Sequence, residues 1–159
     1  MKERKTMPFD KNFVPALRFA VMSDIHIDDE DCIEEQRFAK ALDDLKNLCS
    51  SDERYSGFDA LVIVGDFASR GSEIQMRKVK KILDAGLPAD VRLIMTMASH
   101  EYMTDGEENA LRRFDEIFGL TPDTHAVING FDFIAVTTTR GCHFDDKKRG
   151  FVSAELEIA

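Results

Sequence analysis

The chain alternates short apolar runs with longer stretches in which apolar residues recur at helical spacing. Three short runs cover residues 18–22, 60–64 and 91–97. Runs in which apolar residues follow one another without alternation are typical of strands buried on both faces of a parallel sheet. The pattern therefore predicts three strands in one buried sheet.

Helical repeats follow each of these strands. Apolar residues at helical spacing continue over residues 33–50, 73–85 and 110–118. Ser72 with Gln75, and Thr104 with Glu107, match the capping box that begins many helices. An order of strand, helix, strand, helix, strand predicts an α/β fold with right-handed crossovers between parallel strands.

A different pattern begins beyond residue 119. Two strand-like runs, residues 125–128 and 131–137, flank Asn129-Gly130, a pair typical of tight hairpin turns. The sequence therefore predicts a β-hairpin after the third helix. A polar loop over residues 138–150 and the start of a further element over residues 151–159 are expected to follow.

The length of the chain bounds its organisation. A chain of 159 residues with 43% hydrophobic residues is long enough for one domain with a substantial core. We expect an irregular lead-in over residues 1–17 and a single domain over residues 18–159.

Polar residues follow each predicted strand of the parallel sheet. Asp24 and His26 come after the first strand, Asp66 after the second, and Ser99 with His100 after the third. On an extended chain, Asp24 and His26 would point to the same face. The pair alone also fits two solvated residues at a strand end. The carboxyl ends of parallel strands share one edge, where ligands bind in such sheets, so three polar clusters there favour a site.

The chemistry of these side chains is that of a metal centre. Carboxylate oxygens and imidazole nitrogens together suit a divalent metal that supports hydrolysis. The formal net charge of -9 argues against a broad surface for nucleic-acid backbones, because such surfaces are rich in Lys and Arg. A phosphate ester remains compatible with this charge, since a bound cation reverses the local field.

The cysteines and the hydropathy indicate the compartment. The three cysteines are odd in number and lack the spacing of a metal site, which is typical of reduced thiols in the cytoplasm. Residues 1–11 are charged and contain no signal-peptide core, and no apolar run has the length of a membrane span. We expect a cytoplasmic protein without a membrane segment.

Three blocks of the sequence resemble the calcineurin-like metallophosphoesterases. The pattern of that family is Asp-x-His, then Gly-Asp followed by Gly, then Gly-Asn-His-Asp/Glu, then later histidines. Residues 24–26 match the first block, residues 65–71 match the second, and residues 98–101 match half of the third. The resemblance implies an αββα sandwich, incomplete here at its C-terminus, and phosphate esters as substrates.

The resemblance also implies the contents of the site. It implies one or two divalent ions (manganese, iron or zinc), with Asp66 bridging two ions and Asp24 and His26 completing much of the shell of the first. A hydroxide between the ions would attack phosphorus. His100 would protonate the leaving oxygen. Arg70 would hold the phosphate, although a single Arg there also fits a surface charge.

Two departures from the family pattern should weaken the binding of the second ion. Ser99 stands where the family has an Asn ligand, and Ala98 replaces a Gly. The later family histidines have no match, and we interpret His125 and His143 as ordinary histidines. The sequence predicts a metal-dependent phosphoesterase that is weak or inactive as this isolated chain. The alternative is a non-catalytic metal-binding or interaction module.

The hairpin carries a further expectation. In the family, strands from the C-terminal part of the domain form a second sheet. Apolar side chains of the hairpin should therefore be partly bare here: Phe131, Phe133, Ile134 and Val136. Large bare patches and open strand edges are seldom tolerated by monomers, so we expect self-association or a partner segment that restores the missing part.

Overall fold

A computed structural model of the protein describes residues 13–51 and 57–137. Some of the sequence predictions concern residues outside these ranges. They are the lead-in up to residue 12, the polar loop over residues 138–150, the further element over residues 151–159, Cys142 and His143.

The core of the fold is a three-stranded parallel sheet. Its strands are β1 (Phe19–Met22), β2 (Ala60–Val64) and β3 (Arg92–Thr96), in the order β1-β2-β3. The central strand β2 pairs in parallel with both neighbours, as its near-continuous apolar sequence predicts. All three carboxyl ends consequently lie at one edge, where the polar residues of the sequence follow.

Three helices cover one face of this sheet. They are α1 (Ile33–Ser51), α2 (Glu73–Gly86) and α3 (Glu107–Phe118), and α2 packs between the other two. Ser72 and Gln75 form the predicted capping box at the start of α2. The predicted capping box at Thr104 is wrong. Gly106 is the N-cap of α3, because the Thr104 hydroxyl instead donates a hydrogen bond to the carbonyl of Arg70, 2.7 Å away.

An aromatic cluster in this core anchors the polar edge. Phe67 is fully buried and lies with its ring centroid 6.1 Å from that of Phe114 and 5.7 Å from that of Phe118. Full burial of such a side chain contributes about 1.5–3 kcal/mol. Because Phe67 directly follows Asp66, its burial fixes the backbone that carries this carboxylate.

The other face of the sheet meets the hairpin. Strands β4 (Thr124–Ile128) and β5 (Phe131–Ala135) pair antiparallel. The turn residues Asn129 and Gly130 have φ of 52° and 83°, as a two-residue type I′ turn requires. The hairpin docks where the ring of Phe133 meets that of Phe19 edge-on at 5.4 Å, and where the hydroxyls of Thr96 and Thr137 are hydrogen-bonded.

The hairpin leaves apolar surface uncovered, as the sequence predicts. Phe131 is 47% exposed and Ile134 is 56% exposed, while Phe133 and Val136 are half-buried. On the adjoining sheet, Phe19 and Val21 are about half exposed.

The α/β class and the predicted order of elements are confirmed. Cys32 and Cys49 are free, half-buried thiols. Within the described ranges, no helix combines the length and the apolar character that crossing a membrane requires.

Candidate metal centre

The loops that leave β1 and β2 pair with each other and form the floor of the site. The amide of Asp24 donates to the carbonyl of Gly65 (3.3 Å), and the amide of His26 donates to the carbonyl of Asp66 (3.0 Å). An isolated parallel bridge between Ile27 and Ala68 continues this pairing. The two polar loops are thus an irregular extension of the β1–β2 ladder.

The backbone of these loops is left-handed rather than extended. Asp24, His26 and Asp66 have φ of 53°, 54° and 49°. The expectation of an extended chain at Asp24 and His26 is therefore wrong. Left-handed residues turn the chain across the sheet edge while the amides of Asp24 and His26 keep their bonds to the neighbouring loop. A left-handed non-glycine residue costs about 1–2 kcal/mol, which a net backbone hydrogen bond of about 1 kcal/mol partly offsets.

Three of the predicted residues come together at the sheet edge. Potential ligand atoms of His26, Asp66 and His100 all lie within 4.8 Å of one another, and all three residues are half-buried. The two imidazole rings meet edge-on with centroids 4.6 Å apart. One carboxylate and two imidazoles match the donors that zinc, iron and manganese accept in proteins. The donor set therefore fits a divalent ion.

Hydrogen bonds fix the orientation of His100. Its backbone amide donates to Oδ1 of Asp66 at 3.1 Å, and its Nδ1 lies 2.7 Å from the carbonyl oxygen of Ser69. A carbonyl only accepts, so Nδ1 carries the proton and donates it. In the neutral ring Nε2 then presents a lone pair, which is the arrangement usual for a metal-binding histidine.

Asp24 lies beside the trio rather than within it. Its Oδ1 is 3.9 Å from Nε2 of His26, and its side chain is 67% exposed. A cleft of about 560 Å³ opens next to both residues and is also lined by Glu34 and Arg37 of α1.

Ser99 and Arg70 flank the trio. Ser99 directly precedes the 3₁₀ turn His100–Tyr102, and its hydroxyl makes no capping bond to that turn. Arg70 is exposed, and its backbone is held by Gln75 and Thr104. Within the described part of the chain, its guanidinium group makes no hydrogen bond or ion pair.

Glu101 is the residue of this site whose role the sequence reasoning missed. It is fully buried, and its carboxylate accepts hydrogen bonds from the amides of Asp66, Ala68 and Ala98 at 2.9, 3.0 and 2.9 Å. Burial raises its pKa to about 7, and the three amide donors act in the opposite direction. The available signal was its place after the histidine in the third block, where the family pattern has Asp or Glu.

Two glycines allow the loops to approach this closely. A Cβ on Gly65 would overlap the side chain of Ala98, and a Cβ on Gly71 would overlap the backbone carbonyl of Glu101. The φ angle of Ala98 is not positive, so the replacement of the family Gly does not strain this turn.

Comparison with known families is consistent with this geometry. A family model described as calcineurin-like phosphoesterase matches residues 17–154. The comparison with curated proteins gave no match.

Proposed function

This chain belongs to the calcineurin-like phosphoesterase family, and we propose that it hydrolyses phosphate esters at a centre that holds one divalent ion. The observation that carries the proposal is the convergence of His26, Asp66 and His100 at the carboxyl edge of the parallel sheet. When bound, the ion supplies the charge neutralisation and nucleophile activation that phosphate-ester hydrolysis needs.

The hydrogen bonds support a ligand role for each member of the trio. Oδ1 of Asp66 accepts from the His100 amide, which leaves Oδ2 to bind the ion. Nδ1 of His100 donates to Ser69, which leaves Nε2. The resemblance implies that His100 is a proton donor, and the Nδ1 bond fits either role, because Nε2 has a lone pair in the neutral ring and a proton in the charged ring. Its convergence with His26 and Asp66 is the reason to propose it as a ligand.

The remaining predicted residues have places around this centre. The exposed carboxylate of Asp24 can turn to add an oxygen ligand. Ser99 is the proposed ligand of a second ion. Because a hydroxyl is shorter and a poorer donor than the family amide, we expect that ion to bind weakly. Arg70 is the proposed phosphate contact, one residue beyond the carbonyl that holds His100.

A non-catalytic metal-binding module is the second candidate function. The serine at position 99 favours it, because a serine hydroxyl is a poorer ligand than the amide that the family uses.

A cytoplasmic location is part of the proposal. The free thiols of Cys32 and Cys49 support a reducing compartment.

Titration calorimetry with zinc and with manganese tests the centre. Asp66→Asn and His100→Ala should each lower the affinity by at least the roughly 10–100-fold that is typical when a partner that only orients a ligand is lost. Asp132→Asn is the matched control, because this exposed carboxylate pairs with His125 on the hairpin. Equal affinity in Asp66→Asn and wild type would remove Asp66 from the site.

Hydrolysis of two chromogenic esters separates the candidate functions. Metal-loaded protein is assayed with para-nitrophenyl phosphate and with bis(para-nitrophenyl) phosphate, a monoester and a diester. Turnover that is lost in Asp66→Asn supports the phosphoesterase. Metal binding without turnover of either ester supports the non-catalytic module, and absence of metal binding contradicts both. If His100 is instead the proton donor, His100→Ala lowers turnover with metal affinity unchanged.

A further inference from the structure

We propose that Glu101 is the positioning residue of the metal centre, because its buried carboxylate ties the loop after β2 to the loop after β3. The inference rests on the proposed metal-binding function. Glu101 does not belong to the trio, and it acts through the backbone of the residues that carry the ligands.

The hydrogen bonds of Glu101 span the site. Oε2 accepts from the amides of Asp66 and Ala98, so a single oxygen joins the two loops, and Oε1 accepts from the amide of Ala68. The bond from Asp66 fixes the left-handed residue that presents the central carboxylate. The loop that contains Ala98 leads directly to His100. Glu101 thereby sets the separation of Asp66 from His100.

Only a glutamate side chain satisfies this arrangement. Three amide donors need acceptors, and an ionised carboxylate offers two oxygens and no hydrogen. A glutamine at position 101 would turn an NH₂ group toward at least one donor and leave that donor unpaired. An aspartate would be one methylene too short to reach both loops.

Burial makes the three amide donors depend on the Glu101 carboxylate. Glu101 is fully buried and its chain neighbour Tyr102 is 8% exposed, so bulk water does not reach these donors in the folded protein. The backbone of Glu101 is also closely packed, because Gly71 leaves no room for a Cβ against its carbonyl oxygen.

The test compares Glu101→Gln and Glu101→Asp with Thr96→Val. Thr96 is buried on β3, and its hydroxyl is hydrogen-bonded to Thr137 on the hairpin side of the sheet. All three variants should lose stability. Zinc affinity, measured by calorimetry, should fall about 10–100-fold in the Glu101 variants and stay unchanged in Thr96→Val.

Amide hydrogen exchange of the metal-free proteins provides the second measurement. Exchange at Asp66, Ala68 and Ala98 should accelerate in the Glu101 variants more than exchange elsewhere, and it should not do so in Thr96→Val. Unchanged exchange at these three amides would overturn the proposal. An equal loss of zinc affinity in Thr96→Val and in the Glu101 variants would also overturn it, because the loss would then come from reduced stability of the whole protein.

The two measurements separate this inference from the proposed function. If wild type binds no zinc, the proposed centre fails, and the exchange pattern still decides whether Glu101 positions the loops. If neither Glu101 variant folds, the amides of Asp66, Ala68 and Ala98 are measured in the wild-type protein instead. Slow exchange and downfield proton shifts at the three amides support the proposal, and rapid exchange at them overturns it.

Discussion

At the scale of single residues, the site depends on backbone conformations that are rare outside glycine. Asp24, His26 and Asp66 are all left-handed, and the bonds between their two loops hold them there. Residue type alone gives little indication of these conformations, although aspartate tolerates them better than most residues. The sequence therefore predicted the sheet edge at which His26, Asp66 and His100 meet, but it placed Asp24 and His26 together on an extended chain, whereas Asp24 lies beside the trio.

The hydrogen bonds of Glu101 could not be predicted from the sequence either. Its partners are backbone amides 3 to 35 positions away, and no periodicity marks such contacts. The proposed role of His100 as a ligand was not predicted either. It rests on the convergence of its ring with His26 and Asp66, which depends on how the three loops fold.

The tight approach at Gly71 gives a prediction on stability. Gly71→Ala should lower the free energy of unfolding by about 3 kcal/mol, because left-handed strain adds to overlap with the Glu101 carbonyl. The matched control is Gly119→Ala, where φ is also positive at 64° and no atom lies within 4 Å of the added carbon. That variant should lose only about 1 kcal/mol. Urea unfolding measures both, and equal losses would contradict the packing described around Glu101.

At the scale of elements, the sequence was a reliable guide. The bounds of all three helices and three parallel strands lie within about two residues of the prediction, because long apolar repeats and Gly-Pro stops dominate them. The hairpin followed from Asn129-Gly130 in the same way. The failure at the start of α3 came from tertiary competition, since Arg70 offers the Thr104 hydroxyl an acceptor outside the helix.

An ion pair in front of α3 gives a prediction on pH. Two hydrogen bonds from Arg113 to Asp105, at 3.0 and 2.5 Å, hold the pKa of this carboxyl below its ordinary value of 3.8. A lowered pKa in the folded state stabilises the protein above that ordinary value, and the contribution disappears as the pH falls through the lowered pKa. Because Asp105 is partly exposed, we expect about 0.5–1 kcal/mol.

Unfolding of Asp105→Asn at several pH values checks this contribution. The variant should be less stable than wild type at pH 6, and the difference should shrink below about pH 4. The exposed Asp44→Asn, which removes an i,i+4 pair with Lys40, is the control and should change stability by less than about 0.5 kcal/mol. A difference for Asp105→Asn that persists unchanged into acid would contradict the ion pair.

At the scale of the whole molecule, one face of the sheet carries helices and the other carries a small hairpin with much apolar surface. Phe19, Val21 and Val64 on the sheet and Ile134 on the hairpin are each at least 45% exposed. In the described part of the chain β1 pairs only with β2, so its outer edge is open. We expect self-association through this face.

Light scattering over a range of concentrations tests self-association with matched variants. Ile134→Glu on the hairpin should shift the protein toward monomer, whereas Ile74→Glu on α2 should not, although the two side chains are 56% and 58% exposed. A wild type that stays monomeric at all concentrations and binds no hydrophobic dye would contradict this expectation.

We propose that His26, Asp66 and His100 together bind one divalent ion. A crystal structure of the zinc-loaded protein, with an anomalous difference map at the zinc edge, would locate that ion. We expect one strong peak in contact with all three side chains, with Zn–N and Zn–O distances of about 2.0–2.2 Å. Two equally strong peaks, or a peak that leaves His100 without contact, would contradict it.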